Sequence, residues 1–208
     1  MNLPSKNKHG RPYLSWSQIS CFVSDVGEYK RRYIDRIEFE GNAYTDFGSK
    51  VGGALESGDF TGFTDCEIRY LSMCERLDLF EYFVSLKYDE FDVIGYVDTA
   101  TNDLSRIMDY KTGSKKAATK YLKDNYLQLC YYALAIRQHV GHSPKLAQVQ
   151  YVFRKGNAFK GEKLMVDEIE PMLIDINISE DRLKRVYWWT IEVAKKIEEF
   201  NNYCTNDN

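Results

Sequence analysis

Two short apolar stretches constrain this chain more than any other feature: Ile94-Gly95-Tyr96-Val97-Asp98 and Ile107-Met108-Asp109-Tyr110-Lys111-Thr112-Gly113. Both are rich in β-branched and aromatic residues and read as strands, with Asn102-Asp103 between them as a turn. Strand side chains alternate between faces, so Asp109 and Lys111 point one way and Met108 and Tyr110 the other. A hairpin closed around Asn102-Asp103 puts Asp98 opposite Ile107 and diagonal to Asp109. Diagonal neighbours on one face lie ~7–8 Å apart, close enough for both carboxylates to hold one metal ion. Two carboxylates with a lysine beside them supply what phosphodiester hydrolysis requires, a hard-cation site and a cationic group near the attacking water. The plain alternative is a charged hairpin face, where Asp and Lys on exposed strands contribute little.

At 208 residues the chain fits one domain with a substantial core, and 44% hydrophobic and 28% charged residues are ordinary for a globular protein. No apolar run approaches the ~20 residues of a membrane span. Met1 to Pro12 is polar and basic, without the apolar region of a secretory signal. The expected layout is a flexible arm at 1–12, one domain at 13–203 and a tail at 204–208. Cys21, Cys66, Cys74, Cys130 and Cys204 are odd in number and include no C-x-x-C pair. They suit reduced thiols in a cytoplasm better than a disulfide framework or a zinc site. His9, His139 and His142 add no metal-ligand pattern.

The formal net charge of −3 argues against a protein that coats nucleic acid but leaves room for one that grips it locally. Lys111 to Lys123 holds five lysines and no acid, including Lys115, Lys116 and Lys120. Lys30, Arg31, Arg32 and Arg36 form a second basic cluster. Charge runs are usually solvated faces, and the first gains interest because it starts at Lys111.

The remaining periodicities predict a helix from Ser15-Trp16-Ser17-Gln18 with Ser15 as N-cap, and a further turn through Tyr29 and Tyr33. Gly48, Gly52 and Glu56 recur every four residues and share one helix face. Glu67 to Phe83 reads as helix, followed by strands near 84–88, 91–98 and 104–112. Lys120 to Gln138 reads as one long helix with Tyr126 in its apolar stripe. Strands follow near 145–154 and 163–168, and Ser179 opens a last helix through Phe200. The order predicts an α/β (α+β) domain, a mixed central sheet flanked by helices.

Together these pieces resemble the PD-(D/E)XK nuclease superfamily, in particular its RecB-like exonuclease branch, over residues 15 to 155. The opening Ser15-Trp16-Ser17-Gln18-Ile19-Ser20, Phe47-Gly48 through Glu56, Ile94 to Asp98, Asp109-Tyr110-Lys111-Thr112-Gly113 and the Q-x-x-x-Y element from Gln128 to Tyr132 stand in family order. The resemblance implies a restriction-endonuclease-like core and a metal-dependent DNA nuclease, an exonuclease working on ends or single strands in recombination, repair or replication. It implies Mg²⁺ or Mn²⁺ at Asp98 and Asp109, with Glu56 and the Tyr110 carbonyl, and Lys111 as the cationic catalyst. It also implies contacts to DNA from Gln128, Tyr132, Lys115, Lys116 and Lys120, protein partners in recombination or replication, no membrane, and a cytoplasmic setting in a bacterial or phage-infected cell.

Two departures stand out. Gly52 occupies the place of the usual histidine ligand, which raises a catalytically inactive nuclease-fold protein, binding nucleic acid or a partner, as the alternative. Asp25 stands where some relatives carry the first cysteine of an iron–sulfur cluster, and Cys204 is alone near the C-terminus. A cluster needs four ligands, so none is expected.

Overall fold

The structure is a computed structural model and describes residues 1–122 and 126–206. It begins with a hook: β1 (Ser5–Lys6) pairs antiparallel with β2 (Pro12–Ser15). Leu3 is buried in the main core, and Asn2 Nδ2 donates to Asn202 Oδ1 at 2.8 Å. Arg11 Nε reaches Asp92 Oδ1 at 2.8 Å. Residues 1–12 are therefore docked rather than the flexible arm their composition suggests, because one apolar side chain and these polar links anchor them.

Local sequence signals set most helix starts. α1 (Trp16–Ser24) opens with a capping box between Ser15 and Gln18, and buries Ile19. α2 (Val26–Tyr29) is capped by Asp25 and runs into a π-helical turn over 30–34. α3 (Ala43–Ser57) is capped by Asn42 and stopped by Gly58 in the left-handed conformation. α4 (Asp65–Leu71) starts at a Thr64–Glu67 capping box. It ends well before Phe83, where the sequence periodicity predicts helix. Leu79–Lys87 is instead β3, held along its length by β4 (Asp92–Ala100). Cross-strand pairing overrides the local helical spacing there.

β5 (Arg106–Gly113) is followed by α5 (Lys115–Leu122) and α6 (Gln128–Val140). The single long helix expected over Lys120 to Gln138 is thus two helices, and residues 123–125, Lys123 among them, lie outside the described residues. β6 (Leu146–Lys155), β7 (Met165–Val166) and β8 (Met172–Asp175) come next. α7 (Glu180–Asn206) carries the chain through the segment expected as a tail, with Cys204 buried.

The strands form one mixed sheet. β3, β4 and β5 make an antiparallel meander, while β2–β4 and β5–β6 are parallel. One face buries Val97, Ile107, Val149 and Tyr151 against Ile19 of α1, Leu129 and Ala133 of α6, and Leu183 and Ile197 of α7. The other face buries Met108, Tyr110 and Val152 against Val51 and Leu55 of α3 and Leu71 of α4.

β4 lies where the sheet forks. Along one edge it pairs with β3 throughout. Along the other it pairs with β2 at Asp92 to Ile94, and with β5 at Thr99 and Ala100. Among the described residues, the segment Gly95 to Asp98 between them has no strand on that edge. The mouth of this fork positions the site.

Candidate active site

The fork places Asp98. Thr99 faces Met108 and Ala100 faces Ile107. Asp98 is therefore not opposite Ile107, as a turn confined to Asn102-Asp103 predicts. The turn is longer: Thr101 N donates to Arg106 O, and Leu104 takes a positive φ of 55°. Beyond Thr99 the two strands part, and Asp98 Oδ2 accepts the Tyr110 N–H at 2.7 Å. A side chain thereby satisfies a backbone donor that the ladder no longer serves.

The neighbouring strand is distorted at the same level. Phe80 faces Thr99 and Tyr82 faces Val97, which leaves Glu81 across from Asp98. Glu81 has φ 48°, a left-handed conformation that strains a non-glycine residue. Val97 and Ala100 both enter the same core, although regular alternation would put them on opposite faces. The alternation of β4 therefore breaks around Asp98, turning its carboxylate toward the opening.

Asp109 and Lys111 keep the predicted alternation, since Met108 and Tyr110 fill the opposite core cluster. The Asp109 side chain is 0% exposed and the Lys111 side chain 29%; Lys111 Nζ pairs with Asp109 Oδ2. Nζ also donates to the Tyr110 carbonyl at 3.3 Å. The Tyr126 hydroxyl lies 2.9 Å from Asp109 Oδ2 and also meets Gln128 Oε1. Gln128 Nε2 donates to Tyr132 Oη at 2.7 Å.

Gln128 and Tyr132 therefore brace Asp109 through Tyr126. Tyr132 is buried rather than presented to nucleic acid as expected. Its ring lies so close over Gly95 that a Cβ there would stand 2.6 Å from a ring carbon. This accounts for the glycine inside β4. Sequence periodicity assigns Tyr126 only to an apolar stripe. Its place just ahead of the Gln128 helix is a weak signal that only the fold makes readable.

A cleft of about 790 Å³ opens from this point. α3 contributes Thr45, Gly48, Ser49, Gly52, Gly53 and Glu56, β4 and β5 contribute Asp98, Tyr110, Lys111 and Thr112, and the start of α1 contributes Ser17. The glycine face of α3 with Glu56 looks into the site, as its spacing of four predicts. Ser17 is a lining residue that the sequence does not single out.

The charges perturb each other. Burial, then the nearby Asp109, pushes the Asp98 carboxyl up to about 8, against the opposing pull of Lys111 and the Tyr110 N–H. Burial and then Glu81 also raise Glu56. Burial pushes Lys111 downward, but the Asp109 and Asp98 carboxylates outweigh it and the net shift is upward. Lys115, Lys116 and Lys120 are exposed on α5. In the second basic cluster, by contrast, Lys30 pairs with Asp35 and Arg31 with Glu28.

The acids do not stand as a ready cage. Among the described residues, no three His, Cys, Asp or Glu side chains converge as a metal site. The Lys111 ammonium takes up the positive position beside Asp109 instead. One atom nevertheless fits a cation: Asp109 Oδ1 is buried and, among the described residues, has no hydrogen-bond partner. A buried anionic oxygen without a donor is costly unless a positive ligand meets it, and the surrounding donors are oxygens that suit hard divalent ions.

Comparison with known proteins is consistent with this geometry. Residues 72–204 match the family model of the PD-(D/E)XK nuclease superfamily. A crystal structure of an exonuclease candidate from Eubacterium rectale superposes with a TM-score of 0.61 at 14% identity, covering 97% of this chain and 87% of that one. That likeness shows the restriction-endonuclease-like fold. An alkaline exonuclease from Laribacter hongkongensis gives a TM-score of 0.45 at 9% identity, covering 94% of this chain and 95% of that one. No curated protein matches the sequence.

Proposed function

The chain belongs to the PD-(D/E)XK nuclease superfamily, and on that premise we propose that it is a Mg²⁺- or Mn²⁺-dependent deoxyribonuclease of the RecB-like, Q-x-x-x-Y kind. The observation that carries this reading is the buried Asp109 Oδ1, without a hydrogen-bond partner among the described residues, beside Lys111 and Asp98 at the mouth of the fork. Asp98 and Asp109 would hold the ion, with Glu56 and the Tyr110 carbonyl completing an oxygen-only set. A bound divalent ion supplies charge neutralisation at the scissile phosphate and a more acidic water.

The chain's own groups then do the following. Lys111, released from Asp109, faces the attacking water and a non-bridging phosphoryl oxygen, where its charge stabilises the crowded transition state. Tyr126, Gln128 and Tyr132 keep the Asp109 carboxylate in one orientation. The hydroxyl-bearing Ser17, Ser49 and Thr112 line the cleft and can donate to phosphate oxygens. Lys115, Lys116 and Lys120 draw the polyanion toward this end of the sheet.

The favoured action is exonucleolytic, on DNA ends or single strands, within recombination, repair or replication and alongside protein partners of those processes. No described helix is long and apolar enough to cross a membrane. Incubation of 5′- and 3′-labelled single and double strands with Mg²⁺ or Mn²⁺ tests the reading. It predicts a ladder that shortens from an end. Binding without cleavage under both metals would overturn it in favour of a non-cutting nucleic-acid binder.

A further inference from the structure

The α3 end of the cleft carries an aromatic group that the catalytic chemistry does not use. Phe159 is 90% exposed. Among the described residues it is the most open of the large apolar side chains. It lies on the loop after β6 and meets Tyr44 with ring centroids 5.4 Å apart. The Arg154 guanidinium lies 4.3 Å from the Tyr44 ring centroid.

The group is preorganised. Tyr44 Oη donates to Asn157 Oδ1 at 3.1 Å and accepts the Ala158 N–H at 3.1 Å. Gly156 takes φ 91°, and a Cβ there would come within 2.1 Å of the Lys163 carbonyl oxygen, so the loop shape depends on that glycine. The ring of Phe159 is thus open on a fixed base, with a cation beneath its neighbour.

Its position continues the cleft. Tyr44 precedes Thr45, a cleft-lining residue. From Tyr44 to Gly52 along α3 is ~12 Å at 1.5 Å per residue. Arg154 follows Phe153, which faces Gly113, and the α5 lysines Lys115 and Lys116 begin just beyond Gly113. Aromatic face and guanidinium therefore lie together at the end of α3 away from Glu56. Stacking rings beside cations are how proteins hold single-stranded nucleic acid without reading its sequence.

We propose that Phe159, backed by Tyr44 and Arg154, is a base-stacking site for single-stranded nucleic acid, engaging a base a few nucleotides from the phosphate at Lys111. The proposal rests on the nuclease reading for the identity of its ligand and extends it to the strand's path. A short substrate that ends before Phe159 does not feel this site; a longer strand does.

Binding of a fluorescent single-stranded 12-mer in Ca²⁺, without turnover, tests it. Base–aromatic stacking is worth ~1–3 kcal/mol, so Phe159→Ala should weaken binding about fivefold or more. Phe159→Leu, which keeps an apolar side chain, should weaken it similarly. Phe159→Trp should bind like wild type, and its indole emission should be quenched by the bound strand. Equal affinity of wild type and Phe159→Ala would overturn the proposal, as would an unquenched Trp in the complex. So would a loss confined to blunt duplex. Because Phe159 is so exposed, these variants should fold as wild type, and a melting curve checks that. The nuclease reading is scored separately, by wild-type cleavage of the end-labelled strands in Mg²⁺ and Mn²⁺. Failure of that reaction with intact Phe159-dependent binding would sink the catalytic reading and leave the stacking site standing.

Discussion

The two edges of β5 behave differently. Toward β6 the ladder is unbroken, from Arg106 facing Leu146 to Gly113 facing Phe153. Toward β4 it stops after Met108. The regular edge fixes alternation, so Asp109 and Lys111 share a face with certainty of register. The open edge leaves a backbone N–H for Asp98 to take and gives the cleft its mouth. A buried ladder on one side lets the fold tolerate an opening and a strained Glu81 on the other.

The largest effects should come from the residues held by the regular edge. Asp109→Asn keeps the shape and removes the charge, so metal-dependent cleavage should fall below detection while the melting temperature holds. Lys111→Ala should lower turnover by about 10²-fold or more with a much smaller change in DNA affinity. Rates and gel-shift affinities at saturating Mg²⁺ check both. Equal losses of binding and turnover would recast Lys111 as a phosphate clamp.

Tyr126 belongs to neither edge and braces Asp109 from α6's approach. Tyr126→Phe removes one hydrogen bond to a buried carboxylate and keeps the ring. We expect about a tenfold loss in turnover, consistent with a hydrogen bond to a charged group worth ~1.5–3 kcal/mol, little of it in substrate affinity. Turnover equal to wild type would mean that the Asp109 carboxylate is held by Lys111 and its strand alone.

How much of this was legible from the chain depends on range. The Ser15 N-cap and the glycine face of α3 are local, and the sequence shows them. So is the alternation of Asp109 and Lys111, because it is set within one strand. The longer turn after Ala100, the break of alternation at Asp98 and the Tyr126 link depend on neighbours far along the chain. β1, β2 and β8 are short and pass unseen, because a strand of a few residues is made by its partner rather than by its own propensity. The α4 boundary fails for the same reason: β4 claims Leu79 to Phe83.

At the open edge the expected effect is on stability and its pH dependence. Asp98 holds its proton to about pH 8 in the folded chain, against an unfolded value of about 3.9. Between those values the folded state binds a proton that the unfolded state has lost. This group's contribution is therefore full below about pH 4 and declines as pH rises toward about 8. In EDTA the melting temperature should fall across that window, and Asp98→Asn should flatten the slope. A slope unchanged in the variant would place the titration elsewhere.

The smallest effect, and the sharpest test of where α3 looks, concerns Gly52. Among the described residues a Cβ at Gly52 meets only Glu56 Oε1, at 3.8 Å, an ordinary contact, so a side chain fits without displacing the helix. Gly52→His puts an imidazole on the cleft wall beside Glu56. Nitrogen donors favour Mn²⁺ over Mg²⁺, so Mn²⁺ should bind a few-fold tighter and Mn²⁺-dependent turnover should rise, with Mg²⁺ little changed. Replacing a helix-interior glycine also adds up to ~1 kcal/mol of stability. Melting curves must therefore accompany titration calorimetry, so that a stiffer helix is not mistaken for a new ligand. If the variant gains stability but its Mn²⁺ affinity equals that of wild type, this face of α3 lies beyond reach of the ion. Glu56, one turn further along the same face, would then lose its assignment to the metal, and the open edge would hold its cation through Asp98 and Asp109 alone.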